Sequence, residues 1–219
     1  MINVASIRRL FQMQMPDPET GMLEIINASF IADEPSIFGE PNEDWHRRER
    51  EWYLSQSLNV NDIPGPVPAI WQQVASYKGE INSNYGWCIF SKANGYQYIN
   101  ALDALRTNRH SRQAVMIYNR PSMHDDCRRD GMHDFICTHS THLFIRNGRL
   151  DYIVNMRSND AIFGYKGDYA WHRFVQMLAR DSLAKDYPDL TLGTLYWNAG
   201  SLHVYPRHHH LVHPGKEEA

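Results

Sequence analysis

The 219-residue sequence has few of the features that reveal a protein's compartment or its partners. Its three cysteines, Cys88, Cys127 and Cys137, lack the even number and dense spacing of a disulfide framework, so we expect three reduced thiols. The formal net charge of -3 at pH 7 gives no general field for nucleic acid or for an anionic membrane. Any phosphate must therefore be bound by a few placed arginines, which favours a small nucleotide over a polymer.

Long apolar runs and linkers are also missing. No apolar run approaches the roughly 20 residues that span a bilayer, and the start, Met1 to Val4, lacks the basic and apolar regions of a signal peptide. We therefore expect a cytoplasmic protein with no membrane and no nucleic-acid partner. The sequence contains no repeat and no Gly/Ser linker, and its length suits one sizeable core. We predict a single catalytic domain over residues 1–219.

The spacing of apolar residues predicts an α+β fold, with a mixed, largely antiparallel sheet covered by helices. The clearest local signal is Asn147-Gly148 between two strand-like runs, because this pair tolerates the positive φ angles of a two-residue hairpin turn. Asp168 is predicted to cap a helix that runs to Leu183. We expect helices near Ser6–Gln14, Asp44–Ser55, Ala69–Ser76 and Ala93–Thr107, and strands near Met22–Ala32, Thr141–Arg146, Arg149–Val154, Thr194–Trp197 and Ser201–Tyr205, the last two joined by residues 198–200.

Cys137 is the candidate nucleophile. It ends the run Asp134 to Cys137 just before a predicted strand, with Arg112 and Arg120 upstream and Arg157 downstream. A thiol needs cationic neighbours to become a useful thiolate. On composition alone the alternative is a buried strand cysteine, because free cysteine is among the most often buried residues.

Other polar groups have weaker signals. Arg157 and Ser158 leave a strand together, and an arginine fork with an adjacent hydroxyl suits phosphate oxygens. Alternate strand residues face one way, so His203 and Tyr205 can jointly hold one polar ligand. The histidines at 139, 142 and 208–210 lack the spacing of a structural zinc site, and we expect no metal.

Taken in order, these pieces resemble the thymidylate-synthase superfamily. Its members carry a nucleophilic Cys, a Gln-Arg-Ser-x-Asp run about twenty residues on, an Asn past a following Gly turn, and a late His-x-Tyr. In this sequence the residues at the corresponding places are, in order, Cys137, Met156 to Asp160, Asp168 and His203 to Tyr205. Longer stretches are similar to the bacteriophage cytidylate-hydroxymethylase branch: residues 32–35, 70–76, 79–87, 154–160 and 200–205. If a phage encodes the protein, we expect it in the host cytoplasm.

The resemblance implies a mechanism. The Cys137 thiolate adds to carbon 6 of the pyrimidine, and carbon 5 then takes the one-carbon unit of 5,10-methylenetetrahydrofolate. In a hydroxymethylase water adds to the resulting methylene, whereas a thymidylate synthase transfers hydride. Glu49 matches the family's proton-relaying glutamate and is the expected general acid/base, with Glu51 the better fit to an exposed helix carboxylate. Asp160 and Trp71 are expected to contact the folate.

Asp168 stands where thymidylate synthases place asparagine. An amide donates to the uracil carbonyl and accepts from the protonated ring nitrogen 3, whereas cytosine offers the reverse pattern. A carboxyl matches cytosine if it shares one proton with nitrogen 3 while its other oxygen accepts from the amino group. Asp168 therefore favours cytidylate over uridylate, and Ser158 favours dCMP over CMP, because the related enzymes that act on CMP have alanine there. Hydroxymethylation of CMP and thymidylate synthesis from dUMP are the alternatives.

The resemblance also implies a homodimer. The family binds phosphate with the strand arginine and serine, here Arg157 and Ser158, and with an Arg-Arg pair from the other subunit. That pair reads Arg112-Gln113 here, so Arg112 is expected to reach the partner's site. His203 and Tyr205 are expected to hold the sugar hydroxyl. A third alternative, from another class, is a catalytically silent nucleotide-binding protein on the same scaffold.

Overall fold

The computed structural model describes residues 1–213, arranged as one sheet with helices packed against it. The six strands lie in the order β1-β2-β6-β5-β4-β3. The pairs β1–β2 and β6–β5 are parallel and the other three are antiparallel, which confirms the predicted α+β class with a mixed, largely antiparallel sheet. The strands are β1 Ile2–Asn3, β2 Leu23–Ile31, β3 Val115–Ile117, β4 Thr138–Arg146, β5 Arg149–Asp160 and β6 Thr191–Val204.

The predicted hairpin is present as β4 and β5. Asn147 and Gly148 take φ angles of 49° and 72°, the left-handed region that a two-residue turn requires. The register pairs Thr138 with Met156 near the open end of the hairpin. Cys137 and Arg157 are thereby brought side by side, and the Arg157 N–H donates to the Cys137 carbonyl at 2.8 Å.

Helices cover the buried face of the sheet. Side chains at alternate positions of β5, from Leu150 to Met156, are buried, and those between them are partly exposed. The longest helix, α7, packs on β5 and β6 and has Trp171 and Val175 among its buried residues. None of the helices described is long and apolar enough to cross a membrane. They are α1 Val4–Met13, α2 Glu43–Ser55, α3 Ala69–Val74, α4 Tyr85–Phe90, α5 Gln97–Thr107, α6 Met123–Asp126, α7 Gly164–Leu183 and α8 His209–Val212.

Two local predictions about helices were wrong, and one helix was missed. Asp168 does not cap its helix, because α7 begins at Gly164 and the cap-like contacts come from Asp160, which accepts hydrogen bonds from the Ile162 and Phe163 N–H groups. Helix α5 begins at Gln97, since a short 3-10 turn precedes it. Helix α4 was not anticipated, although Asn84 is a typical cap and accepts from the Trp87 N–H at 2.8 Å.

The two strands predicted at the end of the chain are one continuous strand, β6. It pairs with β2 on one side and β5 on the other, and both pairings pass through residues 198–199. Gly200 favoured the prediction of a turn. In the structure it lets β6 lie close to β5, because a Cβ at residue 200 would lie 2.8 Å from the Arg157 carbonyl oxygen. Glycine is required here by the neighbouring strand.

Candidate active site

The site is centred on Cys137, at the start of β4. The Arg157 guanidinium lies 3.5 Å from its sulfur and is held in place by the Phe135 and Ile136 carbonyls, which accept from it at 2.7 and 3.1 Å. The same guanidinium lies over the Phe135 ring, 4.9 Å from the centroid. One arginine is therefore fixed beside the thiol with part of its donor set still free for a substrate phosphate.

Burial raises the pKa of Cys137 to about 11, Arg157 opposes this shift, and Asp168 and Asp134 add to it. The ligand-free thiol is therefore mostly protonated at neutral pH. Arg120, which precedes Cys137 in the sequence, has other partners. Arg120 pairs with Asp126 at 2.9 Å and donates to Asn82 at 2.9 Å, so its charge is largely neutralised.

Asp168 lies one turn into α7 and points back at the sheet. Its Oδ2 accepts from the Asn159 side-chain amide at 2.7 Å. Burial raises the pKa of Asp168 to about 7, and hydrogen bonds from Tyr85 and Asn159 moderate the rise. A carboxyl in this range exchanges its proton easily at neutral pH, which is what sharing a proton with a cytosine ring nitrogen requires.

Glu49 lies on the buried side of α2 and is only 8% exposed. Burial and, to a lesser degree, repulsion from Asp168 raise its pKa to about 8, against the opposing effect of hydrogen bonding with Trp71 and Tyr53. Gly167 on α7 makes this approach possible, because a Cβ there would lie 3.0 Å from a Glu49 carboxylate oxygen. Glu51, by contrast, is exposed and pairs with Arg47 at 2.8 Å. The structure thus separates the two carboxylates as expected.

His203 and Tyr205 lie together at the end of β6, with ring centroids 4.8 Å apart. His203 is opposite Asp160 in the β5–β6 register, and Ser158 is opposite Ser201. The candidate sugar and phosphate groups therefore lie on neighbouring strands, beside Arg157.

The residues expected to contact the folate also fit an aromatic ring system. Trp71 is partly exposed, packs edge-on against Trp52 at 5.1 Å, and hydrogen bonds with Glu49. A flat aromatic surface beside a carboxyl suits a pterin, and Asp160 supplies a further acceptor for its ring N–H and amino groups. No cluster of three or more metal-ligating side chains was found among residues 1–213.

Arg112 is the one predicted site residue that lies apart. It is exposed in the loop between α5 and β3 and lines, with Arg146, a surface cleft of about 900 Å³. This cleft lies at the hairpin end of β4, whereas Cys137 lies at the other end of the strand. Its own chain therefore does not bring it to the Cys137 site.

Sequence reasoning missed several side chains of the site. Tyr85, on the unanticipated helix α4, lowers the pKa of Asp168, and the Asn159 side-chain amide donates to the same carboxyl. The buried Asp134 accepts from the Ser83 hydroxyl at 2.6 Å and from the N–H groups of residues 82 and 83, so it fixes the segment before α4. Tyr85 and Asn159 both lie within the stretches that carried the resemblance, which was the available signal.

Comparison with known proteins agrees with this geometry. The family model for thymidylate synthase matches residues 45–215. The chain is 54% identical over 192 residues to the deoxycytidylate 5-hydroxymethyltransferases of enterobacteria phages T4 and T2, covering 87% of this chain and 78% of each relative. This chain belongs to the thymidylate synthase family.

More distant members of the family share the fold. A thymidylate synthase of Francisella tularensis is 23% identical over 167 residues, which is 72% of this chain and 59% of that protein. The crystal structure of thymidylate synthase from T4 phage superposes with a TM-score of 0.70 at 19% identity, covering 98% of this chain and 81% of that one. The six-stranded sheet and its helices are therefore the thymidylate synthase fold.

The burial of Glu49 predicts a pH-dependent cost to stability. Its pKa is raised on folding from 4.5 to about 8, so the protonated form is favoured in the folded state. The resulting loss in the free energy of unfolding is absent below about pH 4.5, grows as the pH rises, and is complete above about pH 8. Glu49→Gln should therefore raise Tm near pH 8.5, by about 2–4 °C for each kcal/mol relieved, and leave it unchanged near pH 4.

Calorimetry at the two pH values measures this difference. Glu51→Gln is the matched control on the same helix and should shift Tm little at either pH. Equal effects of the two variants would mean that Glu49 is not a buried, protonated carboxyl.

Proposed function

We propose that the protein transfers a one-carbon unit from 5,10-methylenetetrahydrofolate to carbon 5 of dCMP and adds water, giving 5-hydroxymethyl-dCMP and tetrahydrofolate. Residues 1–219 are proposed to form one catalytic domain. The observation that carries the base assignment is Asp168, an exchangeable carboxyl held beside the nucleophile by Asn159 and Tyr85. The hydroxymethyltransferase names of the 54% identical relatives support the same assignment.

Cys137 is the proposed nucleophile. Its sulfur adds to carbon 6 of the cytosine, and the electron pair displaced from the ring makes carbon 5 nucleophilic. The thiol must first lose a proton that burial holds on it. Arg157, 3.5 Å from the sulfur, stabilises the thiolate while it also contacts the substrate phosphate.

Glu49 is the proposed general acid/base. Because its pKa is about 8, the carboxyl is mostly protonated at neutral pH and can donate a proton as well as accept one. The bound folate supplies the one-carbon unit at carbon 5. Trp71 and Asp160 would hold its pterin, with Trp71 beside Glu49, so that the acid/base group lies where the one-carbon unit is transferred.

The phosphate and sugar contacts complete the nucleotide site. Arg157 and Ser158 are proposed to bind the phosphate, and His203 and Tyr205 the sugar hydroxyl. His203 is buried and its Nδ1 lies 3.2 Å from the Ser201 hydroxyl, so the ring is oriented before a ligand arrives.

The base assignment predicts the effect of Asp168→Asn. An amide donates to a carbonyl where the carboxyl cannot, so the variant should lose activity on dCMP and gain relatively on dUMP. Each mismatched polar pair costs about 1–3 kcal/mol, so the ratio of the two specificity constants should fall at least about tenfold. Steady-state rates with both nucleotides measure this ratio. If it keeps its wild-type value, Asp168 does not select the base.

A homodimer is proposed from two features of the surface. Arg112 is exposed and far from its own Cys137, and one face of the sheet is not covered by helices among residues 1–213. On that face His142, Ile153 and Tyr196 lie side by side on β4, β5 and β6, each partly exposed. A second copy packed there would bury the apolar members of this row and could bring its Arg112 to the phosphate.

Subunit mixing tests the shared site. Cys137→Ser and Arg112→Ala are each expected to be inactive, but a hybrid dimer has one site with both native residues. Random exchange makes half of the dimers hybrid, so about one quarter of wild-type activity should return. Mixing Cys137→Ser with Glu49→Gln is the control, because both residues serve the same subunit's site and no activity should return. Absence of recovery in the first mixture, after verified exchange, would place Arg112 outside the partner's site.

A further inference from the structure

Three polar side chains on two neighbouring strands form a hydrogen-bonded chain that ends at His203. The Ser201 hydroxyl donates to the Glu24 carboxylate, and the same hydroxyl oxygen lies 3.2 Å from His203 Nδ1. Glu24 lies opposite His203 in the β2–β6 register, and Ser201 lies two residues before His203 on β6, so the three side chains share one face of the sheet. The sugar contact proposed above uses His203, and Glu24 has no part in it.

The chain has one direction, because one of its ends can only accept. A carboxylate has no proton to donate, while a hydroxyl has a single proton and can also accept. Ser201 gives its proton to Glu24, so its contact with His203 forms only if the imidazole donates to the Ser201 oxygen. In the neutral ring the proton then lies on Nδ1, and Nε2 keeps a free lone pair.

The surroundings of His203 direct this lone pair to the nucleotide site. His203 is 5% exposed, and its ring packs edge-on against Tyr205, with centroids 4.8 Å apart. In the β5–β6 register Asp160 lies opposite His203, and Ser158 lies opposite Ser201. Within residues 1–213 the ring hydrogen bonds through Nδ1 and not through Nε2. The second nitrogen is therefore available to a ligand.

We infer that Glu24 and Ser201 are positioning residues that hold the proton of His203 on Nδ1, so that Nε2 accepts a hydrogen bond from the 3′-hydroxyl of the bound nucleotide. The 3′-hydroxyl is the one free sugar hydroxyl of dCMP, because the 5′ oxygen carries the phosphate. The inference rests on the proposed role of His203 in sugar binding, but the tautomer of the imidazole is a property of the protein alone.

The polarity determines which sugars the site accepts. A 3′-hydroxyl can donate to Nε2, whereas a fluorine at the same carbon is of similar size and has no proton to donate. A bound 3′-fluoro nucleotide would leave the buried nitrogen without a partner. The site should therefore bind dCMP at least about tenfold more tightly than 2′,3′-dideoxy-3′-fluorocytidine monophosphate.

Nitrogen-15 NMR measures the tautomer in the protein without substrate. Protonated and unprotonated imidazole nitrogens differ widely in chemical shift, and correlations to the ring carbons identify Nδ1 and Nε2. The sequence has 12 histidines, so the His203 signals are assigned by their loss in His203→Gln. On the high-pH plateau of the titration we expect the proton on Nδ1. A proton on Nε2 there, or a ring protonated on both nitrogens at neutral pH, would overturn the inference.

Glu24→Leu is the main variant, because it removes the carboxylate to which Ser201 donates. The freed hydroxyl can then donate to Nδ1, so the ring proton should move largely to Nε2. Ser201→Thr is the matched control, since it keeps a hydroxyl at the same place in β6 and should keep the wild-type tautomer. The other titratable groups beside His203, Asp160 and Tyr205, are unchanged in both variants.

Ser201→Ala tests the middle of the chain and serves if Glu24→Leu does not fold. It removes the acceptor of the Nδ1 proton, so the population protonated on Nε2 should rise. A wild-type tautomer in both Glu24→Leu and Ser201→Ala would show that the two residues do not position the ring, and would overturn the inference.

Calorimetric titration with the two nucleotides gives an independent readout. The preference for dCMP over the 3′-fluoro nucleotide should fall at least about threefold in Glu24→Leu and stay near its wild-type value in Ser201→Thr. An equal preference in wild type and Glu24→Leu would overturn the proposed contact with the 3′-hydroxyl. Failure of the wild-type protein to bind dCMP would instead contradict the proposed function, since the NMR measurement needs no nucleotide.

Discussion

Two carboxyl groups buried in one pocket set the character of this site. Glu49 comes from α2 and Asp168 from α7. Burial raises the pKa of both carboxyls, and repulsion from Asp168 also raises the pKa of Glu49. Neither group pairs with a cation among the residues described here. Such an arrangement costs stability, and it leaves two exchangeable protons beside a thiol that must itself be deprotonated. The fold tolerates it because the surrounding hydrogen bonds come from fixed donors, Asn159 and the Trp71 and Tyr53 side chains.

The backbone around the pocket is shaped to allow this contact. Gly167 lets α7 approach Glu49, Gly200 lets β6 approach the Arg157 backbone, and Arg157 is held by the carbonyls of residues 135 and 136. The central strands β5 and β6 then align Arg157, Ser158 and His203 along one edge of the site. The groups proposed for base recognition and phosphate binding therefore depend on one parallel strand pair and on the helix between its strands, and Cys137 at the start of β4 hydrogen bonds to the same pair at Arg157.

The sequence predicted features that depend on neighbouring residues, and it did not predict features that depend on contacts between distant residues. The Asn147-Gly148 turn is a local requirement on φ angles, so the hairpin was predicted correctly from two residues. Gly200 was interpreted as part of a turn and Gly167 was not singled out, but both glycines make room for groups distant in the chain, Arg157 and Glu49, which no local pattern reveals. That is why Asp168 was wrongly taken for a helix cap and β6 was divided into two strands.

The site residues also divide into those that the sequence indicated and those that depend on contacts between distant parts of the chain. Cys137, Glu49, Arg157 and Asp168 were found through the resemblance, and the structure brings them together as a group. Tyr85 and Asn159 reach Asp168 only because α4, β5 and α7 meet in the fold, which the sequence pattern did not predict. The contact between the Thr138 hydroxyl and His172 Nε2, at 3.3 Å, joins residues 34 positions apart, so no local pattern predicts it.

The most direct test of the account is the origin of the oxygen in the product. The enzyme would be incubated with 5,10-methylenetetrahydrofolate and dCMP, CMP or dUMP in water enriched in oxygen-18, with mass spectrometry of the nucleotide and absorbance of the folate. The account predicts 5-hydroxymethyl-dCMP carrying one heavy oxygen, much less product from CMP and dUMP, and no rise in absorbance from dihydrofolate. A methylated product from dUMP with dihydrofolate formation would contradict it.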